Sequence, residues 1–267
     1  MKNRAEIFSK NEEIGRIFNI PRDEKSTFKT TENGEKNMVD IGIIGAMDVE
    51  VEGLVARLSD RSSETVSGIT FYTGELLGKR VAVAKCGIGK VFAAICAQTM
   101  IMKYAPKLLV NTGVGGALAS GLRCGDIVVA EKLCQHDMDT SPLGDPKGLV
   151  SGINVIWFET DSRARELLLS AGKELSLSVK TGSIATGDRF VATKEVKDSI
   201  ILEFGASVCE MEGGAIAQVA FVNKTPFVVV RAISDSADGE ASMDYPTFLG
   251  IAAKNSTELT LSLVEKY

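Results

Sequence analysis

The stretch 225–238, TPFVVVRAISDSAD, holds an apolar strand, TPFVVV, that passes directly into a polar cluster, RAISDSAD. Open α/β sheets place their binding chemistry at the carboxyl ends of such strands. Asp235 is the residue in the cluster that needs explaining, because a carboxylate is costly to bury without a partner. Its position alone makes it a cap for the segment that follows. Two further acidic clusters make it a candidate for chemistry instead.

Upstream of this stretch, strand and helix patterns alternate from Val39 onward. VDIGIIGA (39–46) is a β run ending in glycine and alanine, and DVEVEGLVARL (48–58) follows at helical spacing. ITFYTGEL (69–76) and RVAVAKCG (80–87) are a pair of strands joined through Gly78. Val91 to Tyr104 carries Phe92, Ile95, Cys96, Thr99 and Met102 at helical intervals. KLLVNTGVGGALA (107–119) is expected to be a strand running into a glycine-rich turn. DIVVAE, SVKTGSIATGD and ASVCEME are further strands, and GGAIAQVAFV and the final FLGIAAKNSTELTLSLV are helices. No repeat or linker interrupts this order, which predicts one α/β domain, residues 38–267, with a mixed central β-sheet flanked by helices. The Pro- and Gly-rich stretch SPLGDPKGLVS (141–151) is the longest loop signal, a candidate lid or interface segment. Residues 1–37 are polar and lack both a continuous apolar region and a cleavage site. They read as a disordered extension or an appended leader, and Met38 offers a later start just before the first strand.

Composition narrows the function. Of 267 residues 45% are apolar and 24% charged, as in a globular protein, and the net charge of −5 argues against a nucleic-acid surface. No apolar run reaches the roughly 18 residues of a membrane span. The five cysteines are odd in number and scattered, and they read as reduced packing residues of a cytoplasmic protein. The single histidine, His136, leaves little for a Cys–His nucleophile or a zinc site. Gly42 and Gly45 do not form a dinucleotide fingerprint and KCGIGK is not a P-loop, so no cofactor is implied.

The first acidic cluster, Asp48, Glu50 and Glu52, follows the strand IGIIGAM. Acids in a first helical turn suit the dipole, and alternate spacing prevents all three from sharing one face. The second, Glu210-Met211-Glu212, stands where a strand gives way to a helix, before Gly213 and Gly214. Together with Asp235 these clusters put three carboxylates at the ends of three different strands, with the Thr112–Gly116 glycines at a fourth. That convergence predicts a sheet-edge site.

The pieces IGIIGAMDVEVEGL, CGIGKVFAA, NTGVGG, GDIVVAE, TGDRFV, CEMEGGAIAQVA and PFVVVRAISDSAD occur in an order that resembles the 5′-methylthioadenosine/S-adenosylhomocysteine nucleosidases of the purine nucleoside phosphorylase-like superfamily. The resemblance covers 38–267. It implies hydrolysis of the N-glycosidic bond of those nucleosides, with 5′-deoxyadenosine as a further substrate, in methionine salvage. By it, Asp235 protonates adenine at N7 with Ser234 beside it, and Glu50 activates the attacking water, which Arg231 helps to position. Glu212 binds the ribose hydroxyls with Met211 alongside, Phe190 stacks on adenine and the Val191 backbone reads its edge. Gly116 also contacts substrate, and Met47, Ile88 and Tyr245 line the ribose and 5′-thioether pocket. The family forms homodimers, so Thr140 and Leu143 are expected in the neighbouring subunit's pocket. Two positions depart from relatives: Val114 replaces a serine found in some, and Leu143 an aromatic ring.

Chemistry supports three separate acids. Protonating N7 makes the purine a neutral leaving group, a second carboxylate delivers water to C1′, and a third grips the ribose diol. Phosphorolysis, the rival within the superfamily, needs several fixed donors, commonly arginines, and the strand ends supply only Arg231. Futalosine hydrolysis is a further alternative. Outside enzymes the alternative is a nucleoside-binding or storage protein.

Overall fold

In the computed structural model, which describes residues 38–237 and 241–267, the run Phe227–Asp235 is strand β10 and every residue of it is buried. The expectation for residues 1–37 lies outside the described residues.

The strands are β1 (Ile41–Gly45), β2 (Ser59–Val66), β3 (Ile69–Leu76), β4 (Lys79–Lys85), β5 (Leu108–Ala117), β6 (Ile127–Gln135), β7 (Phe158–Glu159), β8 (Val179–Thr186), β9 (Val208–Glu210) and β10. The helices are α1 (Asp48–Val55), α2 (Lys90–Tyr104), α3 (Ser162–Glu174), α4 (Lys194–Phe204), α5 (Gly213–Asn223) and α6 (Ala241–Lys266). The sheet runs β10-β6-β8-β9-β5-β1-β4-β3-β2, and β10 also pairs with β5. That extra pairing closes β5, β10, β6, β8 and β9 into a ring, from which the other strands extend. The pairings are mixed: β1 is parallel to β4 and β5, whereas β9 is antiparallel to β5 and β10 to β6.

Alternation along the strands explains the layers. Ile41, Ile43, Leu108, Val110, Val228 and Val230 pack on one side with Leu54 of α1, Leu168 of α3 and Leu259 of α6. Ile44, Leu109, Phe227 and Val229 pack on the other with Met100 of α2 and Ile216 of α5. A strand apolar on both faces is what two covering layers of helix demand.

The structure departs from the sequence reading in places with evident causes. β2 (SDRSSETV) is exposed along nearly its whole length, so it has no apolar alternation to betray it. Neither α3, capped by the Asp161 carboxylate accepting from Ala164 N at 2.8 Å, nor α4 had been anticipated. The glycine-rich turn expected at NTGVGG is instead the interior of β5, with none of Gly113, Gly115 and Gly116 at positive φ. Its glycines are there for space rather than for a turn.

Candidate active site

Three strand ends converge on one cavity of about 370 Å³, within the range of small-molecule sites. Its wall carries Glu50 from α1, Glu212 from the β9–α5 junction and Asp235 from the last position of β10. Met47, Ile88, Gly116, Phe190, Val191, Met211, Ser234 and Tyr245 line it too. The residues expected at a substrate site within one chain are brought together on this wall, except Arg231, which does not line the cavity.

Each carboxylate is held by backbone amides. Glu50 folds back over the start of its helix, where Oε2 accepts from Ala46 N at 2.6 Å and Met47 N at 2.9 Å, and Oε1 accepts from Val114 N at 3.1 Å. Its companions Asp48 and Glu52 are exposed, as the spacing predicted. Burial raises the Glu50 carboxyl above its ordinary range, against the pull of Arg231 and these three amides. Asp235 Oδ1 accepts from Ala237 N at 2.9 Å, and Ser234 Oγ donates to Oδ2 at 2.9 Å. It is a turn cap and a wall residue at once. The β5–β10 register shifts between Ile233 and Asp235, an irregularity that re-aims the strand end. Glu212 Oε1 accepts from Gly89 N at 2.9 Å, and burial, followed by the charge of Glu210, pushes its carboxyl up to about 7.

The glycines of β5 make room for these acids. A Cβ on Gly113 would lie 2.7 Å from Glu50 Oε1, and one on Gly116 would lie 2.8 Å from Asp235 Oδ1. Both are closer than real Cβ contacts allow.

Arg231 lies behind the wall, 1% exposed. Its Nη2 donates to Glu210 and, at 2.6 Å, to Asn111 Oδ1, and Glu212 Oε2 is 3.9 Å away. Its Nε has no hydrogen-bond partner among the described residues. Glu210 is the residue the sequence reading left unassigned. Beyond Arg231 it accepts from Thr186 Oγ1, Glu212 N and Gly213 N, so this buried anion is fully partnered. Arg189 was missed altogether, although it stands beside Phe190 and lines the cavity. The count of one site arginine was therefore too low. The signal was available in TGDRFV, where Arg189 adjoins a residue already assigned to the site.

Phe190 is 46% exposed and meets Tyr245 edge-on at 5.7 Å between ring centroids, and Tyr245 Oη lies 3.2 Å from Met47 Sδ. Thr140 and Leu143 are not on this wall. Thr140 donates to Asp145 Oδ2 at 2.8 Å, and Leu143, in a short 3-10 turn at Ser141–Leu143, is 80% exposed. Among the described residues no group of three His, Cys, Asp or Glu is placed to hold a metal ion, and no helix is long and apolar enough to cross a membrane.

A ringed, helix-covered mixed sheet with carboxylates at its strand ends defines a class, and the model of the Phosphorylase superfamily matches residues 40–265. Relatives narrow it. A 5′-methylthioadenosine/S-adenosylhomocysteine nucleosidase of Oceanobacillus iheyensis is 38% identical over 85% of this chain and 99% of its own length. One of Haemophilus influenzae is 39% identical with the same coverage. The Neisseria meningitidis nucleosidase in complex with methylthio-immucillin-A superimposes with a TM-score of 0.83 at 35% identity, covering 85% of this chain and 99% of that one. Futalosine hydrolase of Helicobacter pylori does so at 0.83 and 34%, covering 87% and 100%. The chain belongs to the 5′-methylthioadenosine/S-adenosylhomocysteine nucleosidase family of the phosphorylase superfamily.

Proposed function

We propose that the protein hydrolyses the N-glycosidic bond of 5′-methylthioadenosine and S-adenosylhomocysteine, releasing adenine and the 5′-thioribose. The convergence of Glu50, Glu212 and Asp235 on one cavity carries this reading. Asp235 delivers a proton to N7 of adenine, which then leaves as a neutral base. Glu50, held by three amides, takes the proton of a water attacking C1′. Glu212 accepts from the ribose hydroxyls and favours the positive charge that develops on the sugar. Arg231 acts through the carboxylates it faces, Glu210 and Glu212, from behind the cavity wall.

Arg189 removes the argument from arginine count, but Glu50 still disfavours phosphorolysis, since its carboxylate suits a water and repels a phosphate. Adenine and free methylthioribose should form at equal rates in phosphate-free buffer. An absolute need for phosphate, or ribose-1-phosphate products, would overturn hydrolysis. The likeness to a futalosine hydrolase supports a second substrate reading, tested by adding futalosine to the same assay.

The working unit of this reading is a homodimer. Leu143 is exposed, and Ile88, Val91, Phe92 and Ile95 leave an apolar strip exposed from the cavity mouth along α2. A partner's loop laid over that strip would close the 5′ end of the site. Five free cysteines, four of them buried, support a cytoplasmic location.

A further inference from the structure

Arg189 belongs to two cavities at once. It lines the catalytic pocket beside Phe190, and it also lines a second cavity of about 330 Å³ whose wall includes His136, Asp137, Lys147, Glu195 and Phe204. The charges around this second cavity divide into paired and unpaired. Lys147 Nζ is 3.1 Å from Glu203 Oε2, and Asp137 takes Lys90 Nζ at 2.6 Å. Lys194, next to Glu195 in the chain, is committed to Asp198 at 2.5 Å. The Arg189 guanidinium and the Glu195 carboxylate have no hydrogen bond or ion pair among the described residues. His136 adds no competing cation, since burial lowers its pKa, and its Nε2 is a buried atom without a partner among the described residues.

One uncommitted cation and one uncommitted anion on the walls of one cavity are the complement of a zwitterion. We propose that this second cavity is a subsite for the amino-acid end of a 5′ substituent, with Arg189 taking the carboxylate and Glu195 the ammonium group. The proposal rests on the catalytic pocket being a nucleosidase site. Arg189 is the bridge: it immediately precedes Phe190 and Val191, the residues proposed to meet the purine, and it lines both cavities. A guanidinium suits a carboxylate through paired N–H donors. Glu195 stands in the first turn of α4, where the helix dipole favours an anion. Both side chains are exposed, so each contact is screened and modest. The subsite therefore acts on the choice among tails.

The experiment compares kcat/KM for four adenine nucleosides on the wild type, Arg189→Ala and Glu195→Gln. Their 5′ groups are methylthio, butylthio (long and neutral), homocysteinyl (zwitterionic) and carboxypropylthio (carboxylate alone). The ratio of homocysteinyl to butylthio should fall about five- to tenfold in both variants. The carboxypropylthio ratio should fall only in Arg189→Ala, and the wild-type preference should fade toward about 1 M salt, where the Debye length is about 3 Å. Ratios taken within one variant cancel any loss of folded enzyme. Unchanged ratios in both variants, or equal losses for butylthio and homocysteinyl tails, would overturn the subsite. A wild-type protein that cleaves none of the four would overturn the nucleosidase reading instead.

Discussion

At Glu212 burial and the neighbouring Glu210 raise the carboxyl to about 7, while the ribose-binding role proposed for it needs an ionised acceptor. Stability and activity then respond to pH in opposite directions. The ordinary value is 4.5, so between 4.5 and about 7 the folded chain holds a proton that the unfolded chain has lost. The associated stability is fully present below 4.5 and lost as pH rises through about 7. Activity should rise across the same window. Thermal denaturation from pH 5 to 8 should show a steeper loss for wild type than for Glu212→Gln. The wild-type ascending limb of kcat/KM near pH 7 should be missing from the variant. Identical slopes in both proteins would remove Glu212 as the titrating group. The other two acids separate by leaving group. Asp235→Asn keeps the Ser234 neighbour but cannot protonate N7, and should lower kcat by about 10²-fold or more. A nucleoside with an activated leaving group should rescue Asp235→Asn and not Glu50→Gln. Equal rescue of both would return Asp235 to the turn cap it also is.

At the scale of elements, β5 is the piece that lets the acids converge. It pairs with β1, β9 and β10, beyond or at whose ends the acids stand, and its Gly113 and Gly116 leave room for Glu50 and Asp235. Gly113→Ala would place a methyl 2.7 Å from Glu50 Oε1, against an acid pinned by the amides of Ala46, Met47 and Val114. Overpacking of this kind costs about 1–3 kcal/mol. The variant should remain folded by circular dichroism, melt several degrees lower and lose kcat by at least about tenfold, since small displacements of a general base are expensive. Full activity with an unchanged melting temperature would mean that Glu50 is not held where it must be.

For the whole molecule, the loop Ser141–Leu143 and the exposed strip on α2 set the test of assembly. Leu143→Asp should weaken both self-association in sedimentation and the KM for methylthioadenosine, because a charge would enter an apolar contact. An active wild-type monomer would refute the cross-subunit assignment. The family match spans residues 40–265, which supports the proposal that the domain begins at Met38. A chain starting there should keep its turnover and its oligomeric state, and a large drop in either would give residues 1–37 a role.

FVVV (227–230) and IGIIG (41–45) hold only apolar residues and glycine, so burial between two helical layers was legible in the sequence, as was the placing of acids at strand ends. Short-range patterns record such things because period, burial and turn chemistry are local. β2 left no trace, since an exposed edge strand needs no apolar alternation. NTGVGG read as a turn because glycine locally means freedom, whereas here it means clearance for Glu50 and Asp235, residues 63 and 119 positions from Gly113 and Gly116 by their numbering. Glu210 looked like one of two equal acids beside Met211. Only folding, which brings Arg231, Thr186 and two amides around it, ties Glu210 up in hydrogen bonds and leaves Glu212 the less committed acid on the wall they share. The sequence by itself determined the layered α/β fold and the acids available for chemistry. Which acid is spent on an arginine, and which faces the cavity with its pKa raised, was decided by the tertiary structure, because burial and charge pairing depend on distances between residues far apart in the chain.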